Sequence, residues 1–171
     1  MKIEDDFLEQ TAFDDLQNLI MSFNFNWQYS TIIDSCTSIK NEDNFQFVHV
    51  FYDDSVPRSP FLERLNPIIE KIQPISFWRI KANLRTRLSK IDEIPFHVDI
   101  EGIPEEKSKQ WTTSIFYMNT TNGYTKFEDG TKVESVANRF VSFSSNMKHT
   151  GTSCTDKKIR VVINFNYFEK T

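Results

Sequence analysis

The chain has 171 residues, of which 39% are hydrophobic and 14% aromatic with 16 Phe, so one domain of 1–171 with a sheet-lined interior is within its means. Its formal charge of −4, without a Lys/Arg stripe, argues against a nucleic-acid partner, because such binding draws most of its affinity from neutralised phosphates. No apolar run reaches the ~18 residues needed to span a bilayer, and acidic residues 1–6 lack the basic and apolar regions of a secretory signal, so a cytoplasmic protein with no membrane partner is expected.

In residues 4–23 the apolar Phe7, Leu8, Leu16, Leu19, Ile20 and Phe23 recur at three- and four-residue steps, which predicts a helix lying with one face on a sheet. Residues 45–52 alternate and are rich in Phe and Val, reading as a strand that ends in the turn-prone segment 53–57. Ser59 as N-cap and Pro60 at the first helical position open a second helix. Its apolar face is Phe61, Leu62, Leu65, Ile68, Ile69 and Ile72, and Pro74 stops it. Beyond Pro74 the helical period gives way to short strand-like runs at 75–85, 94–100, 111–119, 125–127, 132–135, 139–144 and 158–167. The expected fold is therefore mainly β: a double-stranded β-helix (jelly roll, cupin-like) over about 75–168, clad by helices from 1–74, with no repeat or linker to divide it.

His97 and Asp99 lie two apart in Phe96-His97-Val98-Asp99, and in an extended strand that spacing puts both side chains on one face. His149, just before a turn-forming Thr150-Gly151, is the candidate third ligand. Two histidines and one carboxylate occupy one face of an octahedral metal and leave three positions for a chelating co-substrate and oxygen, the arrangement that marks iron(II) oxygenases. An H-x-D pair alone is weak, since strand histidines are often simply hydrogen-bonded. Cys36 and Cys154, far apart and without a C-x-x-C pair, offer neither a disulfide framework nor a thiolate site, and read as ordinary thiols. His49, set among aromatics and valines, reads as structural.

Arg160 opens the apolar run Arg160-Val161-Val162-Ile163-Asn164-Phe165, where an unpaired buried charge would be costly. It calls for an anion. The distal carboxylate of a metal-chelating dicarboxylate would satisfy it, as a planar guanidinium grips a carboxylate bidentately; a rim position paired with Asp or Glu is the alternative.

With these pieces in order, the segment from about Trp78 to Tyr167 resembles the Fe(II)/2-oxoglutarate dioxygenase superfamily, closest to its prolyl-hydroxylase branch. The resemblance rests on Phe96-His97-Val98-Asp99, Ser114-Ile115-Phe116-Tyr117-Met118-Asn119, Gly123-Tyr124-Thr125-Lys126-Phe127, His149 and Arg160. It implies iron(II), 2-oxoglutarate and O2 as cofactors, with ascorbate as a further one, and hydroxylation with release of succinate and CO2. It implies that Tyr117 helps Arg160 hold the distal carboxylate, unless Tyr117 is a packed core residue. Where prolyl hydroxylases place a second tyrosine by the co-substrate, Asn83 in Lys81-Ala82-Asn83-Leu84 is the nearest candidate, with a solvent-facing asparagine as the alternative. Gly123-Tyr124 departs from the family's paired glycines, so close backbone approach at that turn is in question. The resemblance favours a prolyl or other protein side chain as substrate. A small-molecule hydroxylase or a non-catalytic cupin-like metal-binding barrel stays open, whereas the second arginine of the nucleic-acid demethylases is absent from 161–167. Residues 101–110, charged and following Asp99, are either a lid or a solvated loop.

Overall fold

The computed structural model describes residues 1–31 and 45–169; Cys36 lies outside them. In chain order the elements are β1 (Lys2–Glu4), α1 (Gln10–Ile20), β2 (Gln28–Ser30), β3 (Gln46–Asp53), β4 (Val56–Pro57), a 3-10 turn (Leu62–Leu65), α2 (Asn66–Ile72), β5 (Ser76–Thr86), α3 (Glu105–Ser108), β6 (Trp111–Tyr117), β7 (Tyr124–Phe127), β8 (Lys132–Glu134), β9 (Phe140–Ser144), β10 (His149–Gly151) and β11 (Ile159–Phe168). An eight-stranded sheet runs β1-β9-β6-β11-β5-β3-β2 with β4 beside β3, and a three-stranded sheet runs β10-β7-β8. The strand pairings are antiparallel. The mainly β, jelly-roll expectation holds. The first 74 residues also supply four strands to the large sheet, so they are more than helical cladding.

Alternation along β5 and β11 gives the large sheet two different faces. Ile80, Ala82 and Leu84 from β5, with Val161, Ile163 and Phe165 from β11, point to the helices and pack with Phe13, Leu16, Ile20, Leu65 and Ile68. Burying each of the larger side chains contributes about 1.5–3 kcal/mol. The opposite face carries Arg79, Lys81, Asn83 and Arg85 from β5 beside Arg160, Val162 and Asn164 from β11, and these line a cavity between the sheets. The rest of that space is closed by a second cluster comprising Ile115, Tyr117, Phe127, Val133, Val141, Phe143 and Val162.

Four local expectations are corrected. The first helix is shorter than 4–23: residues 2–4 join β9, and Phe23 is fully exposed because the helix ends at Ile20. Phe7 and Leu8 nevertheless reach the core from the preceding loop, where both backbone amides donate to Asn138. The second helix breaks in two. Ser59 does receive the Phe61 amide at 3.0 Å, but Pro67 in the first turn of α2 has no N–H to continue the ladder, leaving a 3-10 turn before it. Residues 94–100 form no strand; their backbone meets β10 at the His97–His149 bridge and where the Ile94 amide donates to the Gly151 carbonyl at 3.4 Å, while Glu93 bridges Thr152; Pro95 removes a donor between these points. Conversely Thr150-Gly151, expected as a turn, belongs with His149 to strand β10.

Candidate metal and co-substrate site

His97 and His149 face each other as a mutually hydrogen-bonded antiparallel pair, each amide donating to the other's carbonyl at 3.0 Å. That pairing, and not a shared strand, sets the first ligand beside the third. Asp99 comes to them from the opposite side: the Asn166 and Asn164 side-chain amides donate to its Oδ2 at 3.2 and 3.4 Å, leaving Oδ1 toward the histidines. The His97 and His149 Nε2 atoms lie 3.7 and 3.8 Å from Asp99 Oδ1, and one ligand atom from each of the three falls within 4.8 Å of the others. Ligands around one ion at about 2.0–2.2 Å need separations a little shorter than these, so a small inward movement suffices.

The donor chemistry fits a divalent metal. His97 Nδ1 faces the Pro95 carbonyl at 3.1 Å and His149 Nδ1 faces the Met147 carbonyl at 3.2 Å, which places the proton on Nδ1 and the lone pair of Nε2 toward the shared point. Burial raises the Asp99 pKa, but His149, His97, Arg79 and the Asn166 amide outweigh it and hold the carboxyl at about 2. Burial also depresses the His149 pKa, favouring the neutral ligand form.

Arg160 is 5% exposed, and no carboxylate among the described residues pairs with it. Its Nε donates to Ser135 Oγ at 2.7 Å; Nη1 and Nη2 reach the Thr152 carbonyl and Thr125 Oγ1, both at 3.4 Å. The rim-facing alternative is therefore excluded. Burial pulls the Arg160 pKa down, and contacts to neutral groups, two of the three long, compensate little of that cost. Tyr117 is buried with its hydroxyl donating to Thr125 Oγ1 at 2.8 Å, and its ring lies 5.7 Å from the guanidinium carbon. The cavity wall at this end is Thr125, with Tyr117 behind it. Asn83, partly buried, lines the cavity between Val162 and Val48.

Several participants escaped the sequence reading. A Cβ on Gly123 would stand 2.6 Å from both Arg160 Cδ and the Ser153 carbonyl, so close approach does occur at that turn with a single glycine. Ser135, Thr125 and Thr152 surround the guanidinium, and Asn164 and Asn166 brace Asp99. The last two had a signal: polar residues two apart in an otherwise apolar strand. Arg85, also on the cavity wall, is neutralised by Asp92 at 2.8 Å. Tyr124 donates to Glu93 at 2.6 Å. His49 is held by the Asn26 carbonyl and the Ser59 hydroxyl, both at 2.7 Å, in keeping with a structural residue. Of residues 101–110, Glu101 lines the cavity, while Lys109 pairs with Glu105 and Glu106 on the exposed side of α3.

The two histidines and the aspartate line the interior of a jelly roll, and solved structures that this chain resembles in fold include prolyl hydroxylases and a protein described as a 2OG-Fe(II) oxygenase family oxidoreductase. One is a prolyl hydroxylase from Trichoplax adhaerens in complex with a hypoxia inducible factor oxygen degradation domain peptide (TM-score 0.69, 13% identity, 98% of this chain and 83% of that one). A prolyl-4-hydroxylase from Pseudomonas putida matches with a TM-score of 0.61 at 11% identity over 99% and 92% of the two chains. HygX from Streptomyces hygroscopicus, with nickel and 2-oxoglutarate bound, matches with a TM-score of 0.63 at 8% identity over 98% and 82%. No protein-family model and no curated protein matches the sequence, and at these identities the likeness is one of fold.

Proposed function

We propose that this protein is an Fe(II)- and 2-oxoglutarate-dependent dioxygenase that hydroxylates a prolyl or other protein side chain. The observation that carries the reading is the pairing, in one cavity, of a three-ligand metal set with a buried arginine that has no carboxylate partner. A metal-binding barrel without chemistry needs the first and has no use for the second. His97, Asp99 and His149 would hold iron(II). Arg160, braced by Ser135, Thr125 and Thr152, would receive the distal carboxylate of 2-oxoglutarate, exchanging weak neutral contacts for a charge-assisted pair. Tyr117 acts through Thr125, whose hydroxyl it fixes. When bound, the metal and co-substrate supply O2 activation that inserts one oxygen into a C–H bond with release of succinate and CO2. The cavity, about 450 Å³, is lined by Arg160, the three ligands and, across the sheet, Val48, Gln46 and Ser30 of β3 and β2, a volume that admits a substrate side chain as well as the co-substrate.

Anaerobic titration of iron(II)-loaded protein with 2-oxoglutarate tests this. A weak visible charge-transfer band near ~500 nm, absent in Asp99→Ala, is expected when a keto acid chelates iron with open positions. Its absence in folded, iron-loaded protein would sink the reading and favour a metal-binding barrel. A small-molecule substrate is the second reading, which a cavity of about 450 Å³ also accommodates.

A further inference from the structure

Beyond the co-substrate arm, the cavity contains a second cationic end. Along β5 the side chains facing the cavity run Arg85, Asn83, Lys81, Arg79, opposite Arg160, Val162, Asn164 and Asn166 of β11. Arg85 and Arg160 lie at the end assigned to 2-oxoglutarate, and Asp92 neutralises Arg85. Lys81 and Arg79 lie at the other end, level with the asparagines that hold Asp99.

Lys81 is a partly buried ammonium in the middle of a central strand, and no hydrogen bond or ion pair joins it to any described residue. Its nearest electrostatic influences are Arg79, which repels its charge, and Asp99 and Asp53, which favour it. A metal on Asp99 would remove one of those two favourable influences. Arg79 spends one nitrogen on the Asp99 carbonyl at 3.2 Å, yet its buried Nε has no partner among the described residues. Uncompensated donors on the wall of a cavity mark a missing acceptor. The charge count points the same way: iron(II), Asp99, 2-oxoglutarate and Arg160 sum to zero and Asp92 cancels Arg85, which leaves Lys81 and Arg79 against Glu101, a net positive charge on the remaining cavity wall.

Building on the proposed dioxygenase activity, we infer that the substrate carries a carboxylate beside the oxidised carbon, and that Lys81, reinforced by Arg79, is the residue that selects it. In a peptide this is an acidic residue adjoining the hydroxylated side chain. Lys81 is thus a specificity residue and not a co-substrate ligand.

The test uses manganese(II)-loaded protein under anaerobic conditions, with 2-oxoglutarate saturation measured first. Paramagnetic relaxation of two probes, N-acetyl-Pro-Asp amide and N-acetyl-Pro-Asn amide, then reports binding close to the metal. The aspartyl probe should bind about tenfold more tightly than the asparaginyl one. Lys81→Met should erase that preference while leaving 2-oxoglutarate binding unchanged, and Lys81→Arg should restore it. Equal relaxation of both probes, relaxation of neither, or an unchanged preference in folded Lys81→Met would overturn the inference. Loss of 2-oxoglutarate binding in Lys81→Met would also overturn it, by assigning the lysine to the co-substrate. Should Lys81→Met not fold, the comparison of probes on the unmodified protein decides alone. If 2-oxoglutarate itself does not bind, the dioxygenase reading falls, and the probe preference on metal-loaded protein still reports on Lys81 separately.

Discussion

Gly123 shows how one missing atom can position a functional charge. With a Cβ, residue 123 would collide with the Arg160 side chain and the Ser153 carbonyl, both at 2.6 Å. Gly123→Ala is therefore expected to raise the 2-oxoglutarate concentration for half-saturation by about tenfold, the cost of overpacking at a tight site, while metal content stays unchanged. Metal content and the charge-transfer titration read the two quantities separately. Arg160→Ala should act likewise but more strongly, whereas Asp99→Ala and His149→Ala should each abolish iron binding. Equal loss of metal in all of these would contradict the division of labour. Asn166 offers a finer test, since its amide holds Asp99 Oδ2 at 3.2 Å and Thr113 Oγ1 at 3.0 Å. Removing such a brace commonly weakens metal affinity about 10–100-fold, so Asn166→Ala should do so in a chelator competition.

β5 and β11 carry both the core and the cavity, one on each face. Substitutions on the helix-packed face should consequently affect stability and spare binding. Ile68→Ala, fully buried where α2 meets that face, is expected to cost about 2–5 kcal/mol in urea unfolding with the 2-oxoglutarate titration unaltered. A parallel loss of co-substrate binding would mean that α2 positions the cavity as well as supporting the sheet. The bounds of these two strands were within reach of the sequence, as both read as strands close to their observed ends. The segment around His97 was not. Its strand-like pattern is carried by Phe96 and Val98, yet Phe96 stands 38% exposed and the backbone bonds to β10 only at Ile94 and His97, because Pro95 and the turn beyond Ile100 deny it a continuous ladder.

At the level of the assembled barrel, the metal would add a cross-link to pieces of chain already joined by a few hydrogen bonds: the 94–100 segment, the short strand β10 and, through the asparagines, β11. An ion that binds only the folded state stabilises it by RT ln(1 + [L]/Kd), about 2.7 kcal/mol at a hundredfold excess over Kd. For a chain of this size that is a rise in Tm of roughly 5–10 °C. Adding iron(II) or manganese(II) should produce such a rise, EDTA should reverse it, and Asp99→Ala should show neither. A Tm indifferent to metal in the unmodified protein would argue against the three-ligand site.

What the sequence determined by itself was whatever is written locally: the mainly β second half, the apolar face of the first helix at Leu16 and Ile20, the two-apart His97 and Asp99, and an arginine at the head of an apolar strand. Periodicity and composition act over a few residues, and there they suffice. Only the tertiary structure decided that His97 pairs with His149 across a bridge, that Asn164 and Asn166 brace Asp99, that Gly123 makes room for Arg160, and that Lys81 faces the cavity without a partner. These depend on which strands become neighbours and in what register, contacts between residues tens of positions apart that no local pattern encodes.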